Sequence, residues 1–178
     1  MPIKWASALA GEVTGLFLPI LTTPPRSCII IEEPESQLHY SAQVLMALAL
    51  AGLSSKYGHK LIFSTHSDLF ALTLAYLKEY KPSKEKIEEL IETILKMQKI
   101  KVEKTSLRLL ADAASKARNL NIKFYYYEPT SRNKIKVSEK SASEIIRSVP
   151  SLTDVYHKFA SWALSLGGNE VAQDESRV

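Results

Sequence analysis

Apolar residues gather along this chain in continuous runs and in helical stripes, and the two patterns predict different elements. Cys28-Ile29-Ile30-Ile31 is an unbroken, mostly β-branched run that ends in Glu32-Glu33-Pro34-Glu35. Such a run suits a strand buried on both faces, as in a parallel sheet under helices. Lys60-Leu61-Ile62-Phe63 is a second run of this kind, followed at once by Ser64-Thr65-His66-Ser67-Asp68. Between them, residues 40–55 are apolar nearly all round through Val44, Leu45, Met46, Leu48, Leu50 and Leu53. That pattern predicts a deeply buried helix, closed by Tyr57-Gly58-His59. The three pieces make a βαβ unit with parallel strands and a right-handed crossover.

The flanking pattern is helical. Residues 5–21 read as a buried helix stopped by Pro24-Pro25, and 69–80 as a helix stopped by Pro82. Residues 83–100 carry a stripe of Ile87, Leu90, Ile91, Ile94 and Leu95 under a charged face. Residues 105–118 turn Leu107, Leu110, Ala111 and Ala114 inward. Together they predict a helical hairpin inserted after the second strand as a packed surface layer. Residues 122–128 and 134–137, joined by Ser131-Arg132-Asn133, predict a β-hairpin, and β-propensity accounts for its three consecutive tyrosines. A last helix is expected from Ser151 to Gly167-Gly168, and residues 169–178 read as a disordered tail.

Composition narrows the class. A chain of 178 residues with 46% hydrophobic and 24% charged content can bury a core as one domain, which excludes disordered and collagen-like proteins. The net charge of +4 points only weakly to nucleic acid, because the lysines are scattered or lie on helical faces. A single cysteine, Cys28, excludes a disulfide framework and a cysteine-based zinc site and fits a reducing cytosol. Glu12 interrupts the apolar residues 5–21, and no stretch offers the roughly 18 uninterrupted apolar residues of a membrane span. The expectation is a cytoplasmic protein with no membrane contact.

The chemistry follows from the strand ends. Parallel neighbours lie about 5 Å apart, so the Glu32-Glu33 corner and the Ser64–Asp68 stretch emerge at one edge. Adjacent acids repel unless a cation or a reaction uses them. This is the layout of a nucleoside-triphosphatase: Glu32 holds Mg²⁺ through its water shell, Glu33 orients the attacking water, and His66 reaches the γ-phosphate. His39 reads as a structural cap, and His59 and His157 as surface residues. A Ser67-His66-Asp68 triad is not expected, because neighbours on one strand end point different ways and triads assemble from separate segments. Two alternatives stand beside the ATPase reading. One is a metal-dependent hydrolase or nuclease built on Glu32, Glu33, His66 and Asp68. The other is a non-catalytic lobe that docks on an intact ATPase.

The residues Cys28 to His39, reading Cys-Ile-Ile-Ile-Glu-Glu-Pro-Glu-Ser-Gln-Leu-His, and Phe63-Ser-Thr-His-Ser-Asp68 together carry a resemblance. They resemble the Walker B and switch motifs of ABC-type ATPases of the SMC/RecF/OLD-like (AAA-domain) branch, in their C-terminal lobe. The resemblance covers roughly residues 5–80. It implies an α/β fold: a partial P-loop NTPase-like sheet with flanking helices, an inserted helical hairpin, and a C-terminal β-hairpin plus helix, all in one partial domain over residues 1–168. It implies Glu32 as the Mg²⁺-side acid, Glu33 as the catalytic glutamate, His66 as the switch histidine, and Glu35-Ser36 as the start of a dimer-facing loop. Ser7 stands where the signature motif opens a helix and would bind the γ-phosphate of a partner's ATP, although Ala8 and Leu9 follow where the family places glycine. No G-x-x-x-x-G-K-[ST] occurs in the chain. ATP and Mg²⁺ are therefore expected to bind this chain weakly or not at all until a P-loop lobe, or a full-length paralogue, completes the site in a homodimer or heterodimer. The start at Met1, a few residues before the signature position, favours a truncated ATPase. Nucleic acid is a possible client of such an enzyme.

Overall fold

Cys28–Glu32 (β1) and Lys60–Ser64 (β2) pair in parallel, with Cys28 opposite Lys60 and Glu32 opposite Ser64. A computed structural model describes residues 8–130 and 134–148, and the chain over these residues is a mixed α/β protein. The elements up to Ile146 belong to one compact unit, and Arg147–Val178 form a second, of which only residues 147 and 148 are described. The helix expected over residues 151–166 and the tail lie outside the described residues, as does the 131–133 turn.

The crossover between the strands is Tyr40–Tyr57 (α2). His39 caps its start, with Nδ1 accepting from the Ser41 amide at 3.4 Å, and Gly58 ends it at φ +68°, a left-handed conformation that suits glycine. Asp68–Tyr80 (α3) follows β2, capped by Ser67. Helix α2 occupies the middle of the core: Leu48 and Leu50 are fully buried, alongside Phe70 of α3 and Ile20.

Lys84–Met97 (α4) and Lys104–Lys116 (α5) form the expected hairpin, tied across by Arg108 Nε and Glu88 Oε1 at 3.3 Å. Ile87 and Ile91 are buried as the stripe requires, while Leu90 is exposed. Helix α5 is more than a surface layer. Its Ala111 and Ala114 are fully buried in the core that α2 centres, and a Cβ built on Gly52 of α2 would stand 2.8 Å from Ala113 Cβ. At this point the two helices approach closely because Gly52 faces the small residues Ala113 and Ala114.

Phe124–Pro129 (β3) and Ile135–Lys140 (β4) form the antiparallel hairpin, held to α3 by Lys78 Nζ donating to the Ile122 carbonyl. Ala142–Ser148 (α6) follows, an element the hydrophobic pattern did not disclose. Its signal is a capping box: the Ser141 amide donates to Glu144 Oε2 at 2.8 Å, and the Glu144 amide donates to Ser141 Oγ at 3.2 Å.

Two further expectations are overturned. The β1–β2 sheet is buried on one face only. Ile29, Ile31, Leu61 and Phe63 pack inward, while Ile30 is 71% and Ile62 52% exposed and Cys28 is exposed beside them. Among the described residues helices cover a single side, so the alternate residues of each run face solvent. The first helix, Ala8–Thr22 (α1), is likewise not buried all round: Leu18 and Leu21 are exposed, and it meets the core through Leu16, Phe17 and Ile20. Among the described residues no helix is long and apolar enough to cross a membrane.

Candidate functional site

The end of β1 does not simply run out into solvent. The Glu33 amide donates to the Ser64 carbonyl at 2.9 Å, which extends the parallel ladder one residue past Glu32. Glu33 then adopts φ +45°, a left-handed conformation that costs a residue with a Cβ about 1–2 kcal/mol. Ser36 and Leu38 close the bend by donating to the carbonyls of Glu33 and Glu35 at 2.9 and 3.1 Å. The bend sorts the acids. Glu32 and Glu33 stay exposed, while Pro34 and Glu35 turn inward.

The β2 side supplies the partner. His66 Nε2 lies 3.4 Å from Glu33 Oε1, with the histidine side chain 89% and the glutamate 49% exposed. An ion pair so open to water contributes little to stability. Its interest is chemical: an acceptor and an imidazole meet from two strand ends. Glu32 and Glu33 also line a pocket of about 220 Å³ with Ile31, Leu16, Leu38 and Met46, apolar below and acidic at the rim. Among the described residues no lysine or arginine pairs with these acids, so the rim is open to an external cation.

Beneath the exposed pair lies a bonded network. Glu35 Oε1 accepts from Thr65 Oγ1 at 2.5 Å and from the His66 and Ser67 amides at 3.1 and 3.2 Å. Ser67 Oγ accepts the Phe70 amide at 3.0 Å as the cap of α3 and donates to Gln43 Oε1 at 2.6 Å. Gln43 Nε2 in turn donates to the Leu38 carbonyl at 3.0 Å. Loop, crossover helix and strand end are thus joined through side chains.

Glu32, Glu33 and His66 therefore share one edge, whereas Ser7 lies outside the described residues. Asp68 sits in the first turn of α3, and no group of three or more His, Cys, Asp or Glu among the described residues is arranged to hold a metal ion. A four-ligand metal site from Glu32, Glu33, His66 and Asp68 does not form. Glu35, expected at the start of a dimer-facing loop, is buried under the β2–α3 turn. His39 caps α2 as expected. His59 is not a surface residue: it is 4% exposed, stacks on Tyr57, and its Nε2 meets the Ile20 carbonyl at 3.2 Å. The tight Gly58 turn folds it back under α2. The supporting roles of Glu35, Gln43 and Thr65 were missed. Their one sequence signal is an acid after proline, placed to fold back on a Thr-His-Ser strand end.

Compared with protein-family models, with curated proteins and with solved structures, the chain matches none.

Proposed function

We propose that this chain is the C-terminal part of an ABC-type ATPase with a P-loop NTPase-like sheet. In this reading it supplies Walker B acids and a switch histidine to a composite Mg-ATP site. The observation that carries the reading is the meeting of Glu33 and His66 at 3.4 Å from the adjacent ends of two parallel strands. Glu33 accepts a proton from, or orients, the attacking water, and His66 donates toward the terminal phosphoryl group. The apolar floor of Ile31, Leu38 and Met46 limits water on one side, which strengthens charge interactions at the rim.

Mg²⁺ is bound through one or two carboxylates, waters and phosphate oxygens rather than by an all-protein cage, and Glu32, exposed on an acidic rim with no cation paired to it among the described residues, fits that demand. When bound, the ion would offset phosphate charge. The phosphate-cradling loop must come from another lobe, because no P-loop motif occurs here. The solvent-facing Ile30 and Ile62 support such a partner, since a sheet with an apolar outer face is suited to further cover. The same reading makes the enzyme cytosolic, dimeric head to tail, and open to a nucleic-acid client.

The bare sheet face also favours a second reading, a non-catalytic lobe that docks on an intact ATPase. Titration of Mg-ATP into the chain alone, and into the chain joined to a P-loop lobe, tests the composite site. Binding is expected only in the second case. Tight Mg-ATP binding by the chain alone would contradict it, and binding without any dependence on Glu32 would favour mere docking.

A further inference from the structure

We propose that Glu35 is the positioning residue of the corner: one buried carboxylate fixes the loop that carries Glu33 against the turn that carries His66. Glu35 stands two residues after Glu33 on the same bend, so anchoring it anchors the acid. Its Oε1 takes three donors, all from the strand end that carries His66: the Thr65 hydroxyl and the amides of His66 and Ser67. Thr65 Oγ1 also accepts from the Ser67 amide at 3.0 Å, which closes the turn on itself.

The donors here suit a carboxylate oxygen. Glu35 is 5% exposed, and burying a carboxylate is costly unless donors compensate it. Three donors at the opening of a 13-residue helix supply that compensation at Oε1, aided by the positive end of the α3 dipole. Glu35 Oε2 is buried without a partner among the described residues, so all the carboxylate's bonding is directed at the turn. His66, by contrast, has no anchor of its own. Its side chain is 89% exposed, and among the described residues its one polar side-chain contact is Glu33. The imidazole inherits its place from the backbone that Glu35 holds. The carboxylate also occupies the amides of His66 and Ser67, so an incoming anion is met by the His66 ring rather than by those donors.

This role needs no nucleotide and is tested on the chain alone by NMR. At fixed pH, the response of the His66 ring resonances to Glu33→Gln measures how firmly the two are held together. With Glu35 present, a clear response is expected. In Glu35→Ala it should fall severalfold, and in Glu35→Gln, which still offers a carbonyl oxygen to the three donors, it should be intermediate. Leu107→Ala, a destabilising change in the α5 core, should leave the response intact, which separates positioning from general loosening. An undiminished response in folded Glu35→Ala overturns the role, as does the lack of any response with Glu35 in place. If Glu35→Ala fails to fold, Glu35→Gln decides: a reduced response supports the role and an unchanged one overturns it. ATPase assays play no part, so a failed nucleotide reading leaves this outcome untouched.

Discussion

Glu33 Oε1 and His66 Nε2 stand 3.4 Å apart although both side chains face solvent. Nothing in that pair is needed to hold the fold. Glu33→Gln and His66→Ala are each expected to change stability by no more than about 0.5 kcal/mol in urea denaturation, the range of exposed sites away from packing. A loss several times larger would mean that the pair is structural and that its chemistry is incidental.

Neighbouring isoleucines on β1 should behave oppositely. Ile31 packs into the core at 9% exposure, and Ile30 faces out at 71%. Ile31→Ala is expected to cost about 2–4 kcal/mol, and Ile30→Ala less than about 1 kcal/mol, by the same denaturation measurement. Equal losses would show that the outer face is covered in solution.

Gly52 tests the contact between α2 and α5. Alanine is the better helix former by about 1 kcal/mol, so an unconstrained helix would gain from Gly52→Ala. Here the new methyl would meet Ala113 Cβ at 2.8 Å and the Ala113 carbonyl carbon at 3.0 Å. A net loss of about 1–3 kcal/mol is expected from overpacking, partly recovered when Ala113→Gly is added. A gain in melting temperature for Gly52→Ala would contradict the close approach.

The capping box of α6 has a pH signature. The Ser141 amide, then its hydroxyl, hold the Glu144 carboxyl below the ordinary glutamate value. A pKa lowered by folding means that the stabilisation is full above the unfolded-state value and is lost as pH falls through the folded one. Carboxyl NMR should place the Glu144 midpoint below 4.5, and Ser141→Ala should raise it in part, since the amide donor remains. A midpoint indifferent to Ser141→Ala would rule out the hydroxyl's share.

The corner was legible in the sequence because its logic is topological. Two short apolar runs separated by one helix imply parallel strands, and parallel strands bring Glu33 and His66 to one edge whatever the packing. The bare sheet face was not legible, because Cys28–Ile31 has no polar alternation to mark which residues face out. Apolarity shows what a strand can bury, and the covering helices decide what it does bury. Glu35 was assigned to a dimer-facing loop, and its buried role was missed because it depends on the left-handed turn at Glu33, a conformation that no residue-type preference announces. His59 was misjudged for the same reason, with a tight turn at Gly58 folding a polar residue inward. Helix α6 is too short for a periodic stripe, and only its Ser141/Glu144 box gave a signal.

The most direct test of the central proposal is Mg-ATP turnover by the chain completed with a P-loop lobe, comparing Glu33 with Glu33→Gln. If Glu33 orients or activates the attacking water, the completed enzyme hydrolyses ATP, and Glu33→Gln still binds Mg-ATP but loses hydrolysis by at least about 10²-fold, the scale of a lost general base. Unchanged turnover in Glu33→Gln would contradict the account.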